Sequence, residues 1–397
     1  MSNKTSNVHL VIVTGLAQCN LIPILQLKPT VVALAVSHDM KKNANEFVKL
    51  LNRSADYLHE NIIRFDDVPA SNLHEIENKA LEIYQQLHDK YPGEKITYHA
   101  TGGTGIMVLG FCKVFSEKEQ IVIYTDTAHG QIEFVQPRSE SAIAIEPVLK
   151  MGTYLRSLGF QFQNSSDNTP AWVTLAQSRR PLTEWLAEHA EALNNFFGEI
   201  NYLATQAMNA QKNSVIAATQ TLNHTPRGIY RQALEMLVEY KICDWEHLQI
   251  TFNSLEGAKY LSGFWLEEFT WLTAQDLGIS EVKANVKFHP LANNKVKNEM
   301  DCIAEHNNRL LMIECKTATL TKDGNATNNM LYKLEALGSA IGGLYHEKWL
   351  VSARPVPLET ELRAQERRIK IISPDQLNLK NEVNLKTELE KWRDAKR

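Results

Sequence analysis

The stretch that decides the fold of this protein is NEMDCIAEHNNRLLMIECKT, residues 298–317. Two segments rich in apolar residues, Glu299–Glu305 and Leu310–Lys316, flank the dipeptide Asn307-Asn308. Asparagine tolerates a positive φ, so this dipeptide favours a two-residue turn between antiparallel strands. We therefore predict a β-hairpin centred on this turn.

In that hairpin, Asp301 lies opposite Glu314, and Glu299 lies opposite Lys316. Successive side chains of a strand point to opposite faces, so these four charged residues share one face. The other face receives residues that are apolar or nearly so: Met300, Cys302, Ile313 and Cys315. The pattern predicts a buried face behind a charged one.

Two carboxylates directly opposed on a sheet repel each other. A divalent cation held by Asp301 and Glu314 would remove that conflict, and hard oxygen ligands suit Mg²⁺ or Mn²⁺. Such an ion polarises a phosphodiester and lowers the pKa of its bound water, while Lys316 can orient the water or neutralise charge that develops on phosphate. The alternative is a solvated sheet face with alternating charges, and spacing alone does not decide between the two interpretations.

A third acidic residue comes from Gly257–Gln275, a segment with the pattern of a helix rich in aromatic residues. Glu267 and Glu268 both lie in this segment, and either could face the hairpin. We favour Glu267.

The N-terminal part of the chain alternates short aliphatic runs with helical patterns. Its first runs are nearly continuous, which is typical of parallel strands that are buried on both faces. Alternating strands and helices predict a doubly wound, Rossmann-like α/β domain. The predicted strands are Val8–Val13, Val31–Val36, Ile62–Phe65, Ile96–Ala100, Ile121–Thr125 and Gln131–Val135.

The middle of the chain has few strand signals, whereas Pro181–Ala210 and Arg227–Tyr240 look helical. We predict a helical connector there, with a small winged-helix-like unit as one form of it. The last third is again mixed α/β, and its tail after Lys380 is predicted to be a charged, exposed helix. The predicted domains are therefore 1–150, 151–246 and 247–397.

One loop of the N-terminal domain, Thr101-Gly102-Gly103-Thr104-Gly105, lies between a predicted strand and an apolar helix. Glycines let a ligand approach the backbone closely, and a helix N-terminus offers free N–H groups to phosphate. A tight turn with a threonine cap is the structural alternative. The first strand-to-helix turn lacks G-x-G-x-x-G, which disfavours a nicotinamide dinucleotide site and hence an oxidoreductase.

The composition of the 397 residues is that of an ordinary globular protein, with a formal net charge of -4. A whole-chain basic signature for nucleic acid is absent, although local patches can attract phosphate. The five cysteines are odd in number and form no C-x-x-C pair, which indicates a reduced, cytoplasmic protein and disfavours a zinc cluster. No segment approaches the ~18 apolar residues of a membrane span, so no membrane partner is expected.

Three segments together resemble the PD-(D/E)xK nucleases, in which a helix supplies Glu, a strand supplies Asp and the next strand supplies E-x-K. One subfamily has the longer pattern G-x-W-L-E, N-E-x-D and I-E-C-K-T, which stands here at Gly263–Glu267, Asn298–Asp301 and Ile313–Thr317. The segment around Tyr332-Lys333-Leu334 is also similar. The resemblance implies a restriction-endonuclease-like domain with metal ligands Asp301 and Glu314 and four catalytic residues: Glu267, Asp301, Glu314 and Lys316.

Val11–Asn20 and His99–Met107 resemble the CRISPR-associated Rossmann-fold (CARF) sensor domain, over roughly residues 1–150. The resemblance implies a homodimer that binds a cyclic oligoadenylate across its two-fold axis. Gly105 stands where the family usually has Lys, which leaves the ring size of the ligand open. The residues implied to contact the ligand are Gly15, Gln18, Asn20, Ser37, His38, Thr101, Gly102, Gly103, Thr104 and Met107.

A CARF domain followed by this nuclease subfamily resembles the CRISPR ancillary nucleases that cyclic tetra-adenylate activates. The resemblance implies a homodimeric, Mg²⁺- or Mn²⁺-dependent endonuclease of antiviral defence that is allosterically activated and nicks DNA, cleaves RNA, or does both. Two alternatives stay open. One is a restriction or repair nuclease whose Rossmann domain is structural, and the other is a non-catalytic adaptor that senses a cyclic nucleotide.

Overall fold

The structure is a computed structural model that describes residues 6–58, 61–209, 214–215, 217–320, 325–341 and 346–395. The chain packs into two compact units. The first comprises residues 1–161 with 290–292 and 396–397, and the second comprises 162–289 and 293–395. Residues 162–246 thus pack with the C-terminal part, and the three predicted domain boundaries stay a prediction.

The first unit is a seven-stranded sheet with helices between its strands. Its strands are β1 (Val8–Ile12), β2 (Val31–Ala35), β3 (Ile62–Phe65), β4 (Ile96–His99), β5 (Ile121–Asp126), β6 (Gln131–Gln136) and β7 (Ile143–Ala144). Its helices are α1 (Gln18–Leu27), α2 (Lys41–Ser54), α3 (Leu73–Lys90), α4 (Gly105–Glu117) and α5 (Met151–Ser157).

The strand order in this sheet is β3-β2-β1-β4-β5-β6-β7. Strands β1 to β5 pair in parallel, and β6 and β7 add antiparallel strands at one edge. Every residue of β1 and β2 is buried, as continuous aliphatic strands covered on both faces require. The order reverses between β1 and β4, and the carboxyl ends of strands at such a point form a crevice where ligands bind.

The second unit contains a six-stranded mixed sheet. Its strands, in chain order, are β8 (Phe160–Asn164), in which the division between the units falls, β14 (Glu281–Pro290), β15 (Asn298–His306), β16 (Arg309–Lys316), β17 (His346–Ser352) and β18 (Ile369–Ile372). The order is β18-β17-β16-β15-β14-β8, with β14, β15 and β16 antiparallel and β16, β17 and β18 parallel.

Helices and small sheets complete this unit. The short strands are β9 (Met208–Asn209), β10 (Ser214–Val215), β11 (Thr219–Thr221), β12 (Asp244–Glu246) and β13 (Gln249–Thr251). The helices are α6 (Pro170–Ser178), α7 (Arg180–Glu188), α8 (Asn194–Ala207), α9 (Ile229–Glu239), α10 (Leu255–Lys259), α11 (Trp265–Gln275), α12 (Asn325–Ile341), α13 (Leu358–Glu366) and α14 (Leu385–Asp394). A π-helical turn, Tyr260–Phe264, joins α10 to α11.

The helical connector shares one hydrophobic core with the mixed sheet. Phe197 of α8 and Leu234 of α9 belong to the same buried cluster as Trp265 and Ile313. The segment predicted to be helical, Pro181–Ala210, contains the two helices α7 and α8, and the turn between them buries Ala190 and Leu193 in that core. Ala210 itself lies outside the described residues.

The prediction of an exposed helical tail is half wrong. The helix exists as α14, but Leu385, Leu389 and Trp392 are buried in the core of the second unit. Its apolar residues recur at helical spacing and form one face, so α14 is an amphipathic helix. The prediction of exposure considered the charged composition of the tail and not this spacing. Among the described helices, none is long and apolar enough to cross a bilayer.

Candidate endonuclease site

The hairpin of β15 and β16 has the predicted register. Cα pairing joins Cys302 to Ile313 and His306 to Arg309, which places Asp301 and Glu314 next in line. Asn307 and Asn308 have φ values of 53° and 58°, as the predicted two-residue turn requires. The residues predicted for the apolar face are all buried: Met300, Cys302, Ile313 and Cys315.

The charged face brings two carboxylates and an ammonium group together. Asp301 Oδ2 accepts a hydrogen bond of 2.7 Å from the backbone N–H of Cys315. The Asp301 side chain thus binds a backbone N–H of β16 just beyond the last paired residues, Cys302 and Ile313. Lys316 Nζ lies 2.7 Å from Glu314 Oε1 and 4.0 Å from Asp301 Oδ2. The side chains of Asp301 and Glu314 are only 14% and 6% exposed, so the site is largely withdrawn from water.

Helix α11 adds Glu267 to this group, whereas Glu268 has a separate partner. Glu267 is close enough to Asp301, Lys316 and Glu314 for their charges to shift the pKa of its carboxyl group. Glu268 is buried and accepts hydrogen bonds of 3.0 and 2.6 Å from the guanidinium of Arg179. The choice of Glu267 over Glu268 therefore agrees with the geometry, while its catalytic role stays a prediction.

A distortion of the helix positions Glu267. Gly263 has φ of 139° inside the π-helical turn, and a Cβ there would lie 2.8 Å from Thr317 Oγ1. Two residues later, Trp265 is fully buried and stacks on Phe197 at a centroid distance of 4.8 Å. Each residue of the pattern G-x-W-L-E therefore has a structural explanation. Gly263 allows the helix to approach Thr317 at the end of β16, Trp265 anchors the helix in the core, and Glu267 follows on the same helix.

The pKa values of the site reflect crowded, buried carboxylates. Burial and, after it, the neighbouring Glu314 raise the pKa of Asp301 to about 7, although Lys316 and the N–H of Cys315 act in the opposite direction. Burial also raises the pKa of Glu267 well above its ordinary value, and Asp301 adds to the effect. For Lys316, burial lowers the pKa, but Glu314 and Asp301 outweigh it and the net shift is upward. The site therefore favours protons or cations.

Two further residues of the site were not singled out from the sequence. Asn285 lies in β14 with φ of 52°, is 6% exposed, and its amide hydrogen-bonds the carboxylate of Glu267. An asparagine that interrupts an otherwise regular strand pattern was the available signal, because asparagine tolerates this backbone conformation. Lys333 of α12 lies 3.7 Å from Glu314 Oε2 and stands in the segment already noted for its resemblance.

The first unit gathers its predicted ligand residues at one sheet edge. The loops that follow the adjacent strands β1, β2 and β4 carry them all, together with the start of α1 and of α4. Asn20 Nδ2 donates a hydrogen bond of 2.8 Å to Ile12 O, and a Cβ on Gly102 would lie 2.3 Å from the same oxygen. Asn20 thus caps the end of β1, and residue 102 has to be glycine because the loop after β4 passes close to the same carbonyl.

The remaining residues of this edge differ in exposure. Gln18 and Met107 are buried, whereas Gly15, Gly103 and His38 are exposed and Ser37 is half-buried. Thr104 caps α4, because its Oγ1 accepts a hydrogen bond of 3.4 Å from the N–H of Met107, and Thr101 Oγ1 accepts one of 2.8 Å from Thr125 N–H. At this edge the buried residues Gln18 and Met107 therefore lie beneath exposed residues, among them Gly15 and His38, that a ligand could reach.

A comparison with protein families gives a match for the C-terminal part of the chain. Residues 255–395 match the family model of the Card1-like endonuclease domain. The C-terminal segment is therefore similar to Card1-like endonuclease domains. The matched range contains all four predicted catalytic residues. The predicted resemblance to a nuclease domain is therefore confirmed, whereas the roles of these residues stay a prediction. No curated protein sequence matches the chain.

Solved structures match the chain over nearly its whole length. Protein VC1899 from Vibrio cholerae has a TM-score of 0.82 at 25% identity, covering 97% of each chain. Can2 from Sulfobacillus thermosulfidooxidans, solved in complex with cyclic tetra-adenylate, has a TM-score of 0.77 at 20% identity, covering 98% of each chain. A type III CRISPR defence DNA nuclease activated by cyclic oligoadenylate has a TM-score of 0.55 at 13% identity, covering 98% of this chain and 52% of that one. The predicted fold class, a Rossmann-like CARF fold followed by a nuclease fold, is confirmed.

Proposed function

We propose that this protein is a metal-dependent endonuclease of the PD-(D/E)xK superfamily that cyclic tetra-adenylate activates in type III CRISPR antiviral defence. The observation that supports the catalytic part is the convergence of Asp301, Glu314, Lys316 and Glu267 in one buried site of a Card1-like endonuclease domain. The substrate is DNA, RNA or both, because a cation and a lysine would act on the phosphodiester group that the two nucleic acids share.

The donor set fits a hard divalent cation. Glu314 Oε2 and Glu267 Oε2 are buried and have no hydrogen-bond partner among the described residues. Over the same residues, no cluster of three or more His, Cys, Asp or Glu side chains has the geometry of a metal site. Mg²⁺ commonly uses only one or two protein carboxylates and keeps several waters, so Asp301 and Glu314 would suffice to hold it.

The residues of the chain have separate tasks in this mechanism. A cation held by Asp301 and Glu314 would lower the pKa of its bound water and polarise the phosphodiester. Lys316 stays protonated, since both carboxylates raise its pKa, and its ammonium group neutralises charge that builds up on the phosphate. Glu267 supports the site directly or through water, and Asn285 orients its carboxylate.

The regulatory part of the proposal rests on the first unit. Its carboxyl-end loops form a polar rim on a doubly wound sheet, and Can2, whose fold the chain shares, was solved with cyclic tetra-adenylate. We expect the ligand to contact the residues predicted above, with a homodimer enclosing it. Activation then requires that the ligand bind the active state more tightly than the resting state.

The decisive experiment incubates the purified protein with plasmid DNA or single-stranded RNA, with Mg²⁺, Mn²⁺ or EDTA, and with each cyclic oligoadenylate in turn. We expect cutting only when the cation and cyclic tetra-adenylate are both present. Asp301→Asn, Glu314→Gln and Lys316→Met should abolish it, while Glu361→Gln, an exposed carboxylate of α13, should not.

Each alternative has its own outcome in this experiment. Full cutting without any cyclic oligoadenylate would contradict activation by the ligand and favour the interpretation as a restriction or repair nuclease. Absence of cutting under every condition, with the ligand bound, would make the protein a sensing adaptor. Cutting that survives all three active-site substitutions would refute the site assignment.

A further inference from the structure

Helix α8 contacts the segments that carry the endonuclease site, although it lies outside the matched range 255–395. The ring of Phe197 stacks on Trp265 in the helix that carries the predicted catalytic glutamate. One helical turn further along α8, Asn201 is only 9% exposed. A polar side chain buried to this degree needs hydrogen-bond partners, because an unpaired polar group in a core is destabilising.

Asn201 binds the residue that follows Lys316. Its Nδ2 donates hydrogen bonds of 3.1 Å to Thr317 O and 2.8 Å to Thr317 Oγ1. A backbone carbonyl can only accept, so the amide nitrogen of Asn201, and not its oxygen, has to face Thr317. Asn201 Oδ1 is then left buried without a hydrogen-bond partner among the described residues. This contact leaves a buried acceptor unpaired, which is unfavourable for a residue that serves stability alone.

The contact fixes the backbone from which the Lys316 side chain extends. Lys316 O accepts a hydrogen bond of 2.9 Å from the N–H of Ala353, and the next carbonyl group, Thr317 O, is held by Asn201. Lys316 Nζ in turn lies 2.7 Å from Glu314 Oε1. A shift of this end of β16 would therefore move the ammonium group relative to the carboxylates of the site.

The same threonine also meets the segment that leads to Glu267. A Cβ on Gly263 would lie 2.8 Å from Thr317 Oγ1, the atom to which Asn201 donates. Gly263 lies in the π-helical turn, four residues and thus about one helical turn before Glu267. One amide of α8 therefore holds the point at which the strand of the lysine and the helix of the glutamate come together.

We propose that Asn201 is a positioning residue of the endonuclease site, which aligns Lys316 and Glu267 through Thr317. The proposal rests on the proposed function and deepens it, because it gives the helical connector a part in the reaction. Asn201 acts through another residue, so its loss should slow the chemical step more than it weakens substrate binding. A small displacement of a catalytic group is enough for such an effect.

The test is the Asn201→Leu variant, which keeps a side chain of similar size but has no N–H donors. In the cutting assay with Mn²⁺ and cyclic tetra-adenylate, kcat should fall by about 10- to 100-fold while KM stays within about twofold. The control is Asn195→Leu, which changes an exposed asparagine of the same helix and should leave kcat unchanged. All variants are assayed at a temperature at which thermal unfolding shows them to be folded.

Three further variants separate positioning from stability. Thr317→Val removes one of the two acceptors and should also lower kcat, whereas Thr317→Ser keeps the hydroxyl group and should restore it. Combined with Asn201→Leu, Thr317→Val should add no further loss, because both changes remove the same contact. Ile200→Val shortens a buried neighbour on α8, so it should lower the melting temperature and leave kcat unchanged.

A second measurement does not depend on cutting. Hydrogen exchange followed by mass spectrometry reports the amide of Ala353, which donates to Lys316 O. Asn201→Leu should cause a loss of protection at this amide, since the end of β16 is no longer held, and should leave α14 as protected as in the wild type. Asn195→Leu should show no loss at either place.

The outcomes separate this proposal from the proposed function. Unchanged kcat in Asn201→Leu, or a fall no larger than that of Ile200→Val, overturns the proposal even if the wild type is an activated nuclease. If the wild type cuts under no condition, the proposed function fails, and the exchange measurement decides. Loss of protection at Ala353 in Asn201→Leu and not in Asn195→Leu then supports the positioning of Lys316, and unchanged protection overturns it.

Discussion

Removing the charge of Asp301 should stabilise the metal-free protein while abolishing its activity. In the folded chain the pKa of Asp301 is raised from 3.8 to about 7 by burial and by Glu314. The folded state therefore binds a proton more tightly than the unfolded state does. A group of this kind contributes stability below its unfolded pKa and loses that contribution as the pH rises through its folded pKa.

The size of the effect follows from this displacement of the pKa. Each unit of displacement corresponds to about 1.4 kcal/mol, so between about pH 5 and about pH 8 the wild-type protein should lose roughly 2–3 kcal/mol through this group. Asparagine keeps an oxygen that can accept the N–H of Cys315 but has no charge to bury. The variant should therefore lack this loss and be more stable than the wild type at the higher pH.

The assay is urea unfolding of wild-type and Asp301→Asn protein in EDTA across this pH range, with Glu361→Gln as the control for an exposed carboxylate. The stability advantage of Asp301→Asn should shrink by about 2–3 kcal/mol as the pH falls from about 8 to about 5. Mn²⁺ should stabilise the wild type and not the variant, because a ligand stabilises only the state that binds it. An advantage that is absent at pH 8, or that does not vary with pH, would refute the reasoning.

Three further predictions concern the second unit. Gly263→Ala should destabilise it by about 1–3 kcal/mol in thermal unfolding and reduce cutting, because the new Cβ meets Thr317 and the φ of 139° is strained; an unchanged melting temperature would contradict this. Glu268→Gln should cost about 3–5 kcal/mol by leaving the buried Arg179 without its charged partner, and a neutral effect in urea unfolding would show that water solvates that guanidinium. Deleting residues 381–397 should destabilise the unit because the apolar face of α14 is lost; equal protease resistance of the truncated and full chains would show that the helix is dispensable.

These predictions share one physical feature of the site. The buried carboxylates of Asp301 and Glu314 lie near the partly exposed Lys316 and Lys333, and the pKa values of Asp301 and Glu267 are raised. Replacing buried charged groups by apolar residues is often neutral or stabilising. Strained and charged arrangements of this kind persist when the surrounding structure holds them and when they serve a function. The rigid core around Trp265 and the β15–β16 hairpin provides that support.

Some features of the site were predictable because they depend on local geometry. The turn at Asn307-Asn308 and the alternation of the two strands determine the register, and the register places Asp301 beside Glu314. Other features depend on long-range packing. Asn285 joins the site from a different strand, and Lys333 reaches Glu314 from α12, so neither could be assigned from spacing within one segment.

What the sequence by itself determined is the hairpin, its charged and apolar faces, and the alternation of strands and helices in the first unit, since strand period and turn chemistry act over a few residues. Only the tertiary structure decided which of Glu267 and Glu268 faces the site. That choice depends on Arg179, which lies far away in the chain and binds Glu268 in the core. It also decided that α14 is buried, because a helix face is covered only when another part of the fold offers it a surface.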